Sequence, residues 1–218
     1  MGGHVGEDRA DDGIRVVHHR SWSSRHIRSA DLNGRTVTMC GMGDRFRTDG
    51  GATWLNLLAT RGQSFGARPV ERLPDVASAR DWLTLVGLPP AEDPTESDRD
   101  ELVALREALR ELAMAAVEQR PPHEQARASV TATAGAAGDG ALSPSAEPVS
   151  CALARASIAV QALVSVRGPD RASLKECAES DCRWVFLDPS SRRRWCPAPA
   201  CASRGRVRAH RAAASSSG

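Results

Sequence analysis

Four cysteines in the last fifth of the chain, Cys177, Cys182, Cys196 and Cys201, are the residues whose type and spacing point most directly to chemistry. They form two Cys-x4-Cys pairs separated by thirteen residues. Two close pairs joined by a short segment suit a tetrahedral site for one zinc ion, each pair sitting on a turn that points both sulfurs inward. With all four positions filled by protein, no place is left for a reacting water, so the expected role is structural. Two disulfides or an iron-sulfur cluster are the competing uses of four thiols. The first thirty residues carry no apolar run of signal-peptide length, which places the chain in a reducing, cytoplasmic setting and favours zinc.

The remaining titratable residues suggest little catalysis. Cys40 and Cys151 have no partner at ligand spacing, and His4, His18, His19 and His26 are irregularly spaced; all are expected to be incidental. No nucleophile stands near a base and no glycine loop suits a phosphate, so no catalytic residue is expected and the chain is not read as an enzyme.

Arginines dominate the basic end. Arg171 to Gly218 holds ten bases against four acids, whereas Ala91 to Glu118 holds nine acids against three arginines, a division concealed by the overall charge of +2. Arg192, Arg193 and Arg194 fall between the cysteine pairs, and Arg204, Arg206, Arg208 and Arg211 follow the last ligand. If a helix begins at Cys201, then Arg204, Arg208 and Arg211 share one face. A basic stripe beside a zinc knuckle is a surface for nucleic-acid phosphates, DNA being the expected partner; a solvated basic tail is the alternative.

These residues need elements to position them. Arg183 to Leu187 has the composition of a strand, Asp188-Pro189-Ser190-Ser191 of a turn, and Arg192 to Trp195 of a returning strand. Trp184, Phe186 and Trp195 are expected to form a miniature core, with a base-stacking platform as the alternative role for one of them. Some 40 residues bury too little apolar surface to fold alone, and structural zinc supplies on the order of 10 to 16 kcal/mol of apparent binding energy in small finger peptides.

Upstream, the pattern is helical. Trp54, Leu55, Leu57 and Leu58 begin the folded region at about Ala52. Asp75 caps a helix through Val76, Ala79, Trp82, Leu83 and Val86 that Gly87 stops. A third helix opens at Ser97, with Leu102, Leu105, Leu109, Leu112 and Ala116 on its apolar face. Residues 121–146 are rich in Ala, Gly, Ser and Thr and suggest a linker or a weak hairpin around Val130. A last helix, about Glu147 to Val166, turns Leu153, Ala156, Val160, Leu163 and Val164 to one side and ends at Gly168-Pro169. Residues 1–48 lack periodicity and suggest a disordered extension; 213–218 form a disordered tail. No apolar run is long enough for a membrane span.

The stretch from Lys175 to Cys201, with Cys-x4-Cys, an aromatic strand into Phe186-Leu187-Asp188 and the return Arg193-Arg194-Trp195-Cys196, resembles the CGNR-type zinc finger. Here the family's closing Cys-Gly-Asn-Arg is Cys201-Ala202-Ser203-Arg204. Leu55-Asn56-Leu57-Leu58-Ala59-Thr60 is similar to the opening Leu-x-Leu-x-Asn-Thr of the helical ABATE-type domain that precedes this finger, with Ala59 in place of Asn. The resemblance spans roughly residues 52–210 and implies a bacterial, stress-linked transcription regulator. The expected architecture is therefore mainly α, with a helical domain over 52–168 and a zinc-bound β-hairpin/helix module over 171–212. The helical domain would act as a sensor of a small-molecule ligand or as a homodimerisation unit. A protein-interaction adaptor whose zinc module docks a partner protein is the alternative function.

Overall fold

The computed structural model describes residues 45–136 and 147–215; His4, His18, His19, His26 and Cys40 lie outside them. At the centre is a single short helix, α1 (Thr53–Leu58), in which Trp54, Leu55, Asn56, Leu57 and Leu58 are all buried. Six residues are too few for a helix to persist in water, so α1 depends on being enclosed on all sides. Its first turn is satisfied from outside, by Gln161 Oε1 accepting from the Trp54 N–H at 3.1 Å.

A two-residue ladder, β1 (Arg61–Gly62) against β2 (Val70–Glu71), leads to α2 (Val76–Leu85), where Asp75 accepts from the Ser78 N–H at 2.8 Å as its cap. Next comes α3 (Glu96–Val117), which starts one residue earlier than expected. Thr95 and Asp98 form a capping box there, each side chain bonded to the other's backbone N–H. Its inward face carries Leu102, Leu105, Leu109 and Leu112, together with a fully buried Arg106.

Residues 124–135 are neither linker nor hairpin but a helix, α4 (Glu124–Gly135). Its alanines are the best helix formers, and one fully buried side chain, Val130, anchors it between α3 and the next helix. A strand-like alternation around Val130 was therefore the wrong period. The final helix of this part, α5 (Cys151–Arg167), begins four residues later than expected, capped by Ser150 on the Leu153 N–H at 3.2 Å. Pro148 precedes it, and Val149 instead bridges the chain at Pro90. The buried stripe of α5 is Ala154, Ile158 and Ala162, while Val164, expected to face inward, is exposed.

After a 3-10 turn (Pro169–Ser173), β3 (Leu174–Glu176) pairs antiparallel with β4 (Val185–Leu187) in the register Leu174↔Leu187, Lys175↔Phe186 and Glu176↔Val185. The hairpin partner of β4 thus lies before it; Arg192–Trp195 is loop, tied in by the Ala178 N–H donating to the Arg194 carbonyl at 3.0 Å. The chain ends in α6 (Pro199–Ser215).

Among the described residues the hydrophobic core is continuous. Phe46, the α1 residues, the inward faces of α2 to α5, and Trp184, Val185, Phe186, Cys196 and Cys201 form one buried cluster. Two expectations change as a result. The packed chain begins before residue 48, since Phe46 is 3% exposed. Trp184 and Phe186 are not the private core of a small module: the Trp184 Nε1–H donates to the Leu55 carbonyl in α1 at 2.9 Å, a bond across 129 residues of sequence. Gly50 makes room for that indole, because a Cβ there would stand 2.7 Å from Trp184 Cζ2. No helix among the described residues is long and apolar enough to cross a membrane.

Candidate metal centre

The first cysteine pair sits on a turn between β3 and β4. Cys177 follows β3 and donates its N–H to the Trp184 carbonyl at 2.9 Å, closing the turn at its base. Within it, the N–H groups of Cys182 and Arg183 both donate to the Glu179 carbonyl, at 2.9 and 3.0 Å. Arg183 then takes a left-handed conformation (φ 46°) that swings the chain into β4. Its guanidinium is held by Glu176 and by Glu118 Oε1 at 3.0 Å, and it lies over the Phe65 ring.

The second pair spans the start of α6. Pro199 opens the helix with its φ already suited to it, and the Cys201 N–H bonds the Ala198 carbonyl at 3.0 Å. Cys201 lies in the first helical turn, where the positive end of the helix favours a thiolate. Trp195 precedes Cys196 and packs on α6 at Gly205, where any Cβ would collide with the indole.

These turns bring the four sulfurs within 4.8 Å of one another, with Cys177, Cys196 and Cys201 buried and Cys182 half-buried. A tetrahedral zinc with bonds of about 2.3 Å sets its sulfurs about 3.8 Å apart, so each pair needs to close by about 1 Å at most to hold the ion. The donor set fits zinc: four soft thiolates, all from protein, in a desolvated shell. The Cys177 thiol is lowered by hydrogen bonds with Cys182, Cys196 and Cys201, whereas the Cys182 thiol is raised by those with Cys177, Cys196 and Cys201 and by burial. Four thiols so close compete for the negative charge, and a divalent cation removes that competition. Among the described residues no other group of His, Cys, Asp and Glu gathers in this way; Cys151 stands apart, its thiol pushed up by burial.

A zinc ion with four thiolates carries a net charge of −2, and two arginines answer it. Arg204 Nη2 donates to Cys201 Sγ at 3.6 Å. Burial works against the charge of Arg47, but Asp49 and the sulfurs of Cys196 and Cys201 more than offset it. Sequence reasoning missed Arg47 altogether, since it lies 130 residues and more from the sulfurs it faces.

The seven arginines singled out by position divide into two groups. Arg204 and Arg208 turn toward the first cysteine turn: Arg208 Nη2 meets Asp181 Oδ2 at 2.7 Å and Glu179 Oε1 at 2.9 Å, and Arg204 Nε lies 4.0 Å from that same Oε1. Glu179 is 1% exposed; its contacts with the two arginines are ionic, off the line a hydrogen bond requires. The face of α6 expected to meet phosphates is therefore directed, at these two positions, onto the finger's own acids. Arg192, Arg193, Arg194 and Arg206 are exposed and their guanidinium groups form no ion pair among the described residues, although Asp188 feels the charge of Arg193; Arg211 is exposed farther along α6. The loop bearing the first three is fixed by Asp188, which is 3% exposed and accepts from Ser190 Oγ at 2.6 Å and from the Arg193 N–H at 2.8 Å.

Fold and site together define a class: a helical domain fused through a common core to a tetracysteine knuckle, hairpin and helix. Residues 51–169 match the ABATE family, described as "Putative stress-induced transcription regulator", and residues 173–214 match the CGNR zinc finger. The chain belongs to the ABATE family, with a CGNR zinc finger at its C-terminal end. No curated protein matches it in sequence.

Proposed function

We propose that this protein is a DNA-binding transcription regulator in which one structural zinc ion, held by Cys177, Cys182, Cys196 and Cys201, shapes a surface for backbone phosphates. The reading rests on one observation above others. Arg192, Arg193 and Arg194 stand exposed on a loop that Asp188 and the Cys196 ligand hold in place. A cationic loop fixed in advance loses little conformational freedom when it meets a polyanion, and each guanidinium that neutralises a phosphate releases a counterion. Arg206 adds a fourth exposed cation. Arg204 and Arg208 are engaged by the finger's own acids and hold its fold rather than DNA phosphates. The zinc performs no chemistry on a substrate, and the family description supports regulation as the purpose of DNA contact.

The test has two parts. Plasma mass spectrometry of protein purified without added metal should find one zinc per chain, absent from the Cys196→Ser, Cys201→Ser double variant. Duplex binding measured against salt should then fall with a log-log slope of about −3.6 for four phosphates, and by about 2.7 less steeply after Arg192, Arg193 and Arg194 are all changed to Gln. Binding that ignores salt and the triple variant would refute the reading and favour docking of a partner protein.

A further inference from the structure

A cavity of about 260 Å³ lies between the β1–β2 hairpin, the segment before α1 and the second cysteine pair. Four arginines line it, Arg47, Arg61, Arg72 and Arg204, together with Gln63 and Trp184; no carboxylate does, and the acidic groups in its wall are the Cys182, Cys196 and Cys201 thiols of the metal site. They come from four separate stretches of the chain, so their convergence is a product of the fold.

The metal site does not account for all of this charge. Arg47 and Arg204 answer the two negative charges left on a zinc with four thiolates, and Arg47 has Asp49 as well, with Nε 3.1 Å from Oδ1. Arg61 and Arg72 are surplus. The carboxylate nearest Arg61, Glu107 at 3.4 Å, is already bonded to Arg106 at 2.9 Å and to Arg110 at 3.2 Å. Arg72 has no ion-pair partner among the described residues; its Nη1 donates to the Ala59 carbonyl at 3.2 Å. Burial and the nearby charge of Arg47 lower its pKa, and the charge of Glu71, whose carboxylate is bonded to Arg106, offsets them only in part. The buried Nε of Arg204 also lacks a hydrogen-bond acceptor.

We propose that this cavity binds a phosphate group, free or as the monoester of a compact molecule, with Arg61 and Arg72 as its principal ligands and Arg47, Arg204 and Gln63 completing the shell. The lining supplies many donors from several directions. A tetrahedral dianion, with three or four oxygens, can accept from all of them, which the two oxygens of a planar carboxylate cannot. The site is distinct from the exposed arginines of the loop, and the proposal stands whether or not the protein binds DNA.

The test is calorimetric titration of the zinc-loaded full chain with inorganic phosphate and, separately, with glycerol 3-phosphate, at ionic strength held constant with sodium chloride. One saturable site per chain is expected for at least one of them, and the tighter of the two identifies the source. Arg72→Gln and Arg61→Gln should each weaken it by about tenfold or more, as loss of a charge-assisted contact does, while Arg193→Gln should leave it unchanged. Arg61 lies at the half-exposed rim, so its variant carries the test if Arg72→Gln folds poorly. Absence of saturable binding to the wild-type chain overturns the proposal. So does binding that both variants retain, or an Arg72→Gln protein whose only defect is loss of zinc, which would make these arginines counterions to the metal site alone.

Discussion

Replacing Trp184 by Phe separates a finger that folds on its own from one that shares the helical core. The indole donates to the Leu55 carbonyl, and both groups are buried. Phenylalanine cannot donate, so that carbonyl would be left unpaired, at a cost of about 1–3 kcal/mol, and the smaller ring leaves a void beside Gly50. A total near 2–3 kcal/mol is expected, equivalent to roughly 4–12 °C in melting temperature for a domain of this size. The assay is denaturant unfolding of the zinc-loaded protein, followed in parallel by far-ultraviolet circular dichroism and by release of zinc to a chromophoric chelator. Both transitions should coincide in the wild type and move together in the variant, because Trp184 bonds α1 while its strand adjoins the cysteine turn. Earlier zinc release with an unmoved helical transition would refute the shared core and restore an autonomous finger.

Other substitutions probe the remaining supports. Gly205→Ala improves helix propensity by about 1 kcal/mol, yet its Cβ would collide with Trp195 Nε1 and stand 2.8 Å from Cε2; net destabilisation of about 1–2 kcal/mol with faster zinc loss is expected in the same unfolding assay. Glu71→Gln leaves the buried Arg106 without its bidentate partner, and a loss of about 2 kcal/mol is expected, reduced from the usual penalty because Glu71 is 39% exposed. The same carboxylate governs acid sensitivity. Burial pushes Glu71 up, but hydrogen bonds from Arg106 and from the Leu73 N–H more than offset it and hold its pKa below the ordinary 4.5. Its contribution is therefore complete above that value and is lost as pH falls through the depressed one. Thermal melts from pH 6 downward should show a shallower acid loss in Glu71→Gln than in the wild type.

Much of the local structure was legible in the sequence. The Asp75 cap followed by apolar residues at helical spacing marked α2, and the leucine spacing of α3 placed its buried face, because capping and helical period are properties of a few consecutive residues. Composition misled at α4, where a single buried valine and a set of alanines gave almost no amphipathic signal. It misled again at α5, where most of the buried apolar side chains are alanines and Val164 was left outside.

The sequence by itself determined the four-cysteine cluster, because cysteine pairs at fixed spacing on turns leave few arrangements of four sulfurs. It also marked the exposed Arg192–Arg194 run. Only the tertiary structure decided which faces meet. It joined Trp184 to Leu55, turned Arg204 and Arg208 onto Glu179 and Asp181, and gathered Arg47, Arg61, Arg72 and Arg204 around one cavity. Such contacts link residues tens to more than a hundred positions apart, and they depend on how whole elements pack, which no spacing along the chain records.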